Sequence, residues 1–217
     1  NSRRHLLSEG LPHRRIYLSG SPMKEVLDHY LTKIKASDVL TKLDIEAKQY
    51  FLVSVHREEN VDYKDNLNEI IGVLNGLADK YKLPIIVSTH PRTRKRIDML
   101  EKVELNKHIR FLKPFGFTDY NWLQMNAKCV ISDSGTICEE SSILRFPAVT
   151  IRNSMERPEA IDTGTIILTG FDRDVVLESI ELAVDEGASY DRICEDYEVI
   201  NTAMRVLKVI MGTARLH

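Results

Sequence analysis

The sequence predicts an α/β protein built on a doubly wound parallel sheet. Three observations predict it. Short, near-continuously apolar runs recur along the chain, as in Tyr50-Phe51-Leu52-Val53-Ser54-Val55. Stretches with apolar residues at helical spacing separate them, as at Leu67, Ile70, Ile71, Leu74 and Leu77. The charged and glycine-bearing motifs fall where an apolar run ends. Strands alternating with amphipathic helices imply βα units. Strands without a polar face imply burial on both sides, as in a parallel sheet.

The elements follow in order. Residues 1–20 are basic and irregular and end in Ile16-Tyr17-Leu18. Ser19-Gly20-Ser21-Pro22 reads as a turn into a helix, with Ser21 as cap and Pro22 at the first helical position. Met23, Val26, Leu27 and Tyr30 set its apolar face, and residues 31–48 read as a second, polar and peripheral helical stretch. Strands are predicted at 50–55, 84–88, 109–112, 129–132, 148–151 and 164–168. Helices are predicted at 65–80, 92–102, 119–126, 135–144, 174–185 and 190–211.

Composition excludes several classes. The 217 residues are 43% hydrophobic and 29% charged, which suffices for a core. A net charge of −2 offers nucleic acid or an anionic membrane no attraction. No apolar run approaches the roughly 20 residues that span a bilayer. Cys129, Cys138 and Cys194 lack metal-ligand spacing, and three unpaired cysteines fit a reducing cytoplasm. No P-loop lysine or GxGxxG is present, so neither a metal nor a nicotinamide cofactor is indicated. The first residues, Asn-Ser-Arg-Arg-His, resemble neither a signal peptide nor a domain start, so the chain is expected to be part of a longer protein.

In parallel sheets ligands bind beyond the carboxyl ends of strands. The loops after Val55, Ser88, Leu112, Ser132 and Ile151 are therefore the places to look. Ser132-Asp133-Ser134-Gly135-Thr136 follows a strand and opens a helix. Gly135 permits close backbone approach, and a helix N-terminus with the Ser134 and Thr136 hydroxyls suits a phosphate. An ordinary Asp/Ser helix cap would read the same way. Glu140 lies one turn deeper on Thr136's face, where a carboxylate can accept both ribose hydroxyls. Glu139 beside it reads as solvent-facing.

His56-Arg57-Glu58-Glu59-Asn60 follows the first strand. His56 can donate to a phosphate or move a proton near neutral pH. Arg57 can clamp an anion. The alternative is a solvated loop with Asn60 or Asp62 capping the next helix. Arg157, in Arg152-Asn153-Ser154-Met155-Glu156-Arg157-Pro158-Glu159, can neutralise a diphosphate or contact a sugar, or belong to a surface ion-pair loop. Phe115 and Tyr120 can cover a flat base, or pack the next helix. His90-Pro91-Arg92 reads as a turn with Pro at the first helical position, and residues 92–96 as a solvated basic helix face.

Three ordered motifs resemble the non-hydrolysing UDP-N-acetylglucosamine 2-epimerase family. They are Ser54-Val55-His56-Arg57-Glu58-Glu59-Asn60, Ser132-Asp133-Ser134-Gly135-Thr136-Ile137-Cys138-Glu139-Glu140, and Glu156-Arg157-Pro158-Glu159-Ala160 with Gly164-Thr165 behind it. Ser19-Gly20-Ser21-Pro22 resembles the segment joining the family's two domains. The resemblance implies a Rossmann-like C-terminal domain of a glycosyltransferase-B fold. It implies His56 in the active site, Ser134, Gly135 and Thr136 on the diphosphate, and Glu140 on the ribose. Arg157 then lies near phosphate or sugar, with Phe115 and Tyr120 near uracil. It implies residues 1–20 as a remnant of the N-terminal domain, 21–48 as a helical connector and 49–190 as the nucleotide-sugar domain. Residues 191–217 become a C-terminal helix crossing back to the missing N-terminal domain. A cytoplasmic homodimer serving polysaccharide biosynthesis is the family's usual setting.

The implied reaction is 2-epimerisation of a UDP-N-acetylhexosamine, as from UDP-GlcNAc to UDP-ManNAc. UDP is eliminated across C1–C2 and re-added after proton delivery to the other face of C2. The family's acid and base carboxylates come from the N-terminal domain, so this chain alone is expected to bind UDP without turning substrate over. Thr136 stands where the family pattern has a second glycine, and the loop around Phe115 also departs from it. The Ser-Gly-Ser-Pro-Met and Asp-Ser-Gly-Thr-Ile variants resemble the branch acting on UDP-6-deoxy-L-hexosamines. A nucleotide-sugar transferase of the same fold and a non-catalytic nucleotide-sugar sensor remain the alternatives.

Overall fold

The structure, a computed structural model, describes residues 2–57, 60, 62–99, 104–155, 157–185 and 194–215. Five strands follow one another as predicted: β1 (Phe51–Ser54), β2 (Ile85–Ser88), β3 (Ile109–Leu112), β4 (Cys129–Ser132) and β5 (Ala148–Thr150). The sixth, β6, is only Ile167–Leu168, the end of the predicted run. All pair in parallel in the order β3-β2-β1-β4-β5-β6. The chain thus builds outward in one direction from β1, then returns and builds outward in the other from β4. That reversal opens a crevice between the carboxyl ends of β1 and β4.

Side-chain alternation along each strand feeds two cores. Leu52, Ile86, Val130 and Ala148 face one layer, and Phe51, Val53, Ile85, Val87 and Ile131 face the other. All are buried, which explains why the strands read as unbroken apolar runs. Burying each such side chain stabilises the fold by roughly 1.5–3 kcal/mol.

The first layer holds α2 (Met23–Lys35), α3 (Val39–Leu43), α6 (Phe117–Asn126) and α7 (Ile137–Leu144). The second holds α4 (Lys64–Tyr81) and α9 (Arg173–Asp185). The short α5 (Pro91–Asp98) follows β2, with Ile97 in a small third cluster beneath it.

Several expectations need correction. Residues 1–20 are not wholly irregular, because α1 (Ser2–Ser8) and a 3-10 turn at His13–Arg15 lie within them. Both are exposed throughout, so no burial pattern announced them. Residues 31–48 are not one peripheral stretch. α2 runs through to Lys35, and Ile34 and Val39 lie in the core. Its inner face is Met23, Leu27, Tyr30 and Ile34, while Val26 is exposed. The predicted terminal helix divides into a 3-10 turn at Glu195–Tyr197 and α10 (Thr202–Thr213). Residues 190–193 of that prediction lie outside the described residues, as do 100–102 of the helix that ends at Asp98. A short α8 (Glu159–Asp162) was not anticipated.

Candidate functional site

β1 and β4 are neighbours in register, with Ser54 opposite Ser132. Their following loops therefore meet at the crevice, bringing together His56 and Asp133, which lie 77 apart in sequence. Asp133, wholly buried, is the hub. Its carboxylate accepts the backbone N–H of His56 at 3.0 Å and of Arg57 at 2.9 Å. Asn60 Nδ2 donates to it at 2.7 Å, and His56 Nδ1 lies 3.1 Å from Oδ1.

Burial by itself would raise the Asp133 pKa. The bonds from His56, Arg57 and Asn60 reverse that and hold it below the usual carboxylate range. His56 responds oppositely. Its bond to Asp133 raises its pKa, against the effect of partial burial. With Nδ1 engaged and half the side chain exposed, Nε2 is the nitrogen left to face a ligand. Asp133 was absent from the predicted site residues. Its signal was an acid directly at a strand's carboxyl end, within a turn read for its hydroxyls and its glycine.

The turn after Asp133 forms a hydrogen-bonded chain. Ser134 N donates to Ser132 Oγ at 3.1 Å. Ser134 Oγ lies 2.9 Å from Thr136 Oγ1, which donates to Glu140 Oε1 at 2.8 Å. Because Thr136 has one hydroxyl proton, Ser134 is the donor in that pair. A Cβ at Gly135 would meet nothing within 4 Å, and Gly135 does not adopt a positive φ. The fold does not need glycine there, and the space beside it is open.

Glu140 is held from the other side by Gln124 Nε2, which donates to Oε2 at 2.6 Å. Burial raises the Glu140 pKa, and the Gln124 and Thr136 bonds oppose the rise. Tyr120 packs against the first core, and its hydroxyl lies beside the Ser54 and Ser132 side chains. Its pKa is raised by burial and by the nearby Glu140 carboxylate. Phe115 likewise packs on that core.

Glu139 is not solvent-facing, which corrects the sequence reading. It is 6% exposed, accepts from Ser21 Oγ at 2.5 Å and forms an ion pair with Arg157. Arg157 thus reaches α7 from the loop after β5. The segment containing Ser21 is fastened elsewhere too. Thr202 Oγ1 lies 3.1 Å from the carbonyl oxygens of Ser19 and Ser21. Gly20 has φ +85°, and a Cβ on it would stand 2.7 Å from Val199. Ser21, Glu139, Arg157, Tyr197 and Arg205 line a cavity of about 530 Å³ on this flank. Ser21 also accepts from Met23 N at 3.1 Å, but the N-cap of α2 is Pro22 and Met23 is its first residue, one position later than expected.

Pro91 opens α5 as predicted, and Arg94, Lys95 and Arg96 are exposed on it. Glu58, Glu59 and Glu156 lie outside the described residues. Among the described residues, no group of three His, Cys, Asp or Glu is placed to hold a metal ion. No described helix is long and apolar enough to cross a membrane. The three cysteines are buried and free.

A doubly wound Rossmann-like domain, with its polar side chains gathered at the β1/β4 switch point, is the class this geometry defines. Comparison makes the assignment specific. The sequence profile of the UDP-N-acetylglucosamine 2-epimerase family matches residues 1–211, and the chain belongs to that family. A UDP-N-acetylglucosamine 2-epimerase from Methanocaldococcus jannaschii is 30% identical over 194 residues, 85% of this chain and 52% of its own length. A UDP-N-acetylglucosamine 2-epimerase structure from Rickettsia bellii is 45% identical, with TM-score 0.90, covering 97% of this chain and 57% of that one. A Methanocaldococcus jannaschii structure in complex with UDP-GlcNAc and UDP is 27% identical, with TM-score 0.86, covering 97% and 59%. The chain therefore spans about half the length of the curated relatives it matches.

Proposed function

We infer that this chain is the UDP-binding half of a UDP-N-acetylhexosamine 2-epimerase of the UDP-GlcNAc to UDP-ManNAc type. One observation carries the reading. His56, the Ser134-Gly135-Thr136 turn and Glu140 converge at the β1/β4 switch point, beside open space at Gly135. The relative whose structure holds UDP-GlcNAc and UDP supports it.

In this reading the Ser134-Gly135-Thr136 turn receives the diphosphate, and Glu140 accepts the ribose hydroxyls. His56 Nε2 and Arg157 offset charge on the departing UDP, where a donor aimed at developing charge lowers the barrier most. Phe115 and Tyr120 form the floor near the uracil. UDP leaves across C1–C2 with the C2 proton, giving an acetamidoglycal. A proton then enters the opposite face of C2 as UDP re-adds at C1. The carboxylates that move this proton belong to an N-terminal domain, of which residues 1–20 are the end. Helix α10 crosses back to that domain. Its exposed Met204, Leu207, Ile210 and Met211 are an apolar stripe suited to such a contact. The 217-residue chain by itself binds UDP and leaves the sugar unchanged. The whole enzyme is read as a cytoplasmic homodimer serving polysaccharide synthesis.

Incubating the full-length protein with UDP-GlcNAc in D₂O tests this. Deuterium at C2 without an acceptor is the expected result. Sugar transfer to an acceptor with no exchange would make the protein a glycosyltransferase instead. A second reading within the family, a UDP-6-deoxy-L-hexosamine 2-epimerase, draws on Thr136. Its hydroxyl bonds Glu140 at a place where the family pattern has glycine. Exchange rates with the two UDP-sugars side by side separate these readings.

A further inference from the structure

Gln124 is a buried polar group that the reading above leaves unexplained. Its side chain is fully enclosed on α6, beside Leu123 in the core. Nε2 donates to Glu140, but Oε1 has no hydrogen-bond partner among the described residues. An unpaired buried carbonyl destabilises a fold. A methionine has similar length and would fill the same space without that cost. The one bond that glutamine makes here is to Glu140, so the reason for it lies with that carboxylate.

We propose that Gln124 is a positioning residue: by holding Glu140 in a diol-accepting orientation, it gives the site its preference for a ribose bearing a 2′-hydroxyl. The proposal rests on the assignment of Glu140 to the ribose. A carboxylate offers about four lone-pair sites, two on each oxygen. Thr136 occupies one on Oε1 and Gln124 one on Oε2. Each oxygen keeps one free, so a vicinal diol can donate one bond to each. Without Gln124, Thr136 anchors a single oxygen and the carboxylate can rotate about it. Gln124 cannot swing with it, because its helix is held by the core on either side of the residue. A fixed buried acceptor rejects a ligand that lacks the matching hydroxyl, because the acceptor is then left unpaired.

Calorimetry with UDP, 2′-deoxy-UDP and inorganic pyrophosphate, on the wild type and on Gln124→Met, tests this alongside thermal melting. The wild type is expected to prefer UDP over 2′-deoxy-UDP by about ten- to hundredfold. Gln124→Met should bring that ratio to about twofold or below and leave pyrophosphate affinity unchanged, with a modestly lowered melting temperature because Glu140 Oε2 loses its donor. Gln124→Asn, which keeps the amide but withdraws it by one methylene, should lose the ratio as well and serves if the methionine variant does not fold. In a Glu140→Gln background, Gln124→Met should change nothing further. A preserved ratio in both single variants, with UDP and pyrophosphate weakened together, would overturn the proposal and make Gln124 merely structural. Wild-type protein that binds no UDP would instead sink the nucleotide reading itself.

Discussion

The carboxylates of Asp133, just before α7, and Glu139, in its first turn, are held in different ways. At the switch point, Asp133 takes two of its partners from the backbone of the loop after β1, positioned by the β1/β4 register. On the flank near Ser21, Glu139 takes its partners from side chains, Ser21 and Arg157. Asp133 is wholly enclosed, whereas Arg157 is 44% exposed. Backbone donors just beyond a paired strand are tied to the sheet. Side-chain donors on two surface segments are tied less firmly. The switch point is therefore the more firmly held part of the site, and the Ser21 flank the less firmly held part. That division suits a domain whose relatives are about twice its length.

Asp133→Ala should show the largest effect. It leaves two backbone N–H groups and Asn60 unpaired in a buried place, at a cost of about 3 kcal/mol. Urea unfolding at neutral pH measures it, and a loss below about 1 kcal/mol would remove the description of a firmly held hub. Glu140→Ala comes next. It should weaken UDP by about tenfold or more in calorimetry, since hydrogen bonds to a charged group are strong, and it should lower stability by about 1–3 kcal/mol because the enclosed Gln124 amide loses its partner. Unchanged affinity would take Glu140 off the ribose.

Glu139→Gln keeps a neutral acceptor for Ser21 but loses the charge facing Arg157. Solvent screening at the exposed Arg157 limits the cost to about 0.5–1 kcal/mol. A loss as large as that of Asp133→Ala would erase the contrast between the two regions.

The smallest effect is a pH dependence. A raised His56 pKa means that its contribution is fully present below the ordinary histidine value of about 6.5, and is lost as pH rises through the raised value. A lowered Asp133 pKa means that its contribution is present above the ordinary carboxylate range, and is lost as pH falls through the depressed value. The pair thus stabilises most from about pH 4 to about pH 6.5. Melting of the wild type and His56→Asn should differ more at pH 5.5 than at pH 8.5. An equal difference at both values would show that His56 stays neutral beside Asp133.

Legibility differed by residue for physical reasons. Leu52, Val130 and Ile86 announced their strands because both sheet faces are covered. Ile34 was missed because the helix was read as breaking after Tyr30, although Met23, Leu27, Tyr30 and Ile34 continue one period through it. Ser134, Thr136 and Glu140 were read together because they lie close in sequence across the start of one helix, and the structure links them in one hydrogen-bonded chain. Gln124 and Ser21 lie 16 and 118 positions from their glutamate partners. No spacing rule reaches across such distances.

The α/β class, five of the six strands in order, and the strand ends where chemistry gathers were determined by the sequence alone, because apolar runs and turn residues act locally. The order of strands in the sheet was decided only by the tertiary structure, and with it the meeting of His56 and Asp133. So were the opposite fates of Glu139 and Glu140, one turned to Ser21 and the other to α6. The physical reason is common to all three. Each depends on which surfaces bury one another, and burial joins residues that the chain keeps far apart.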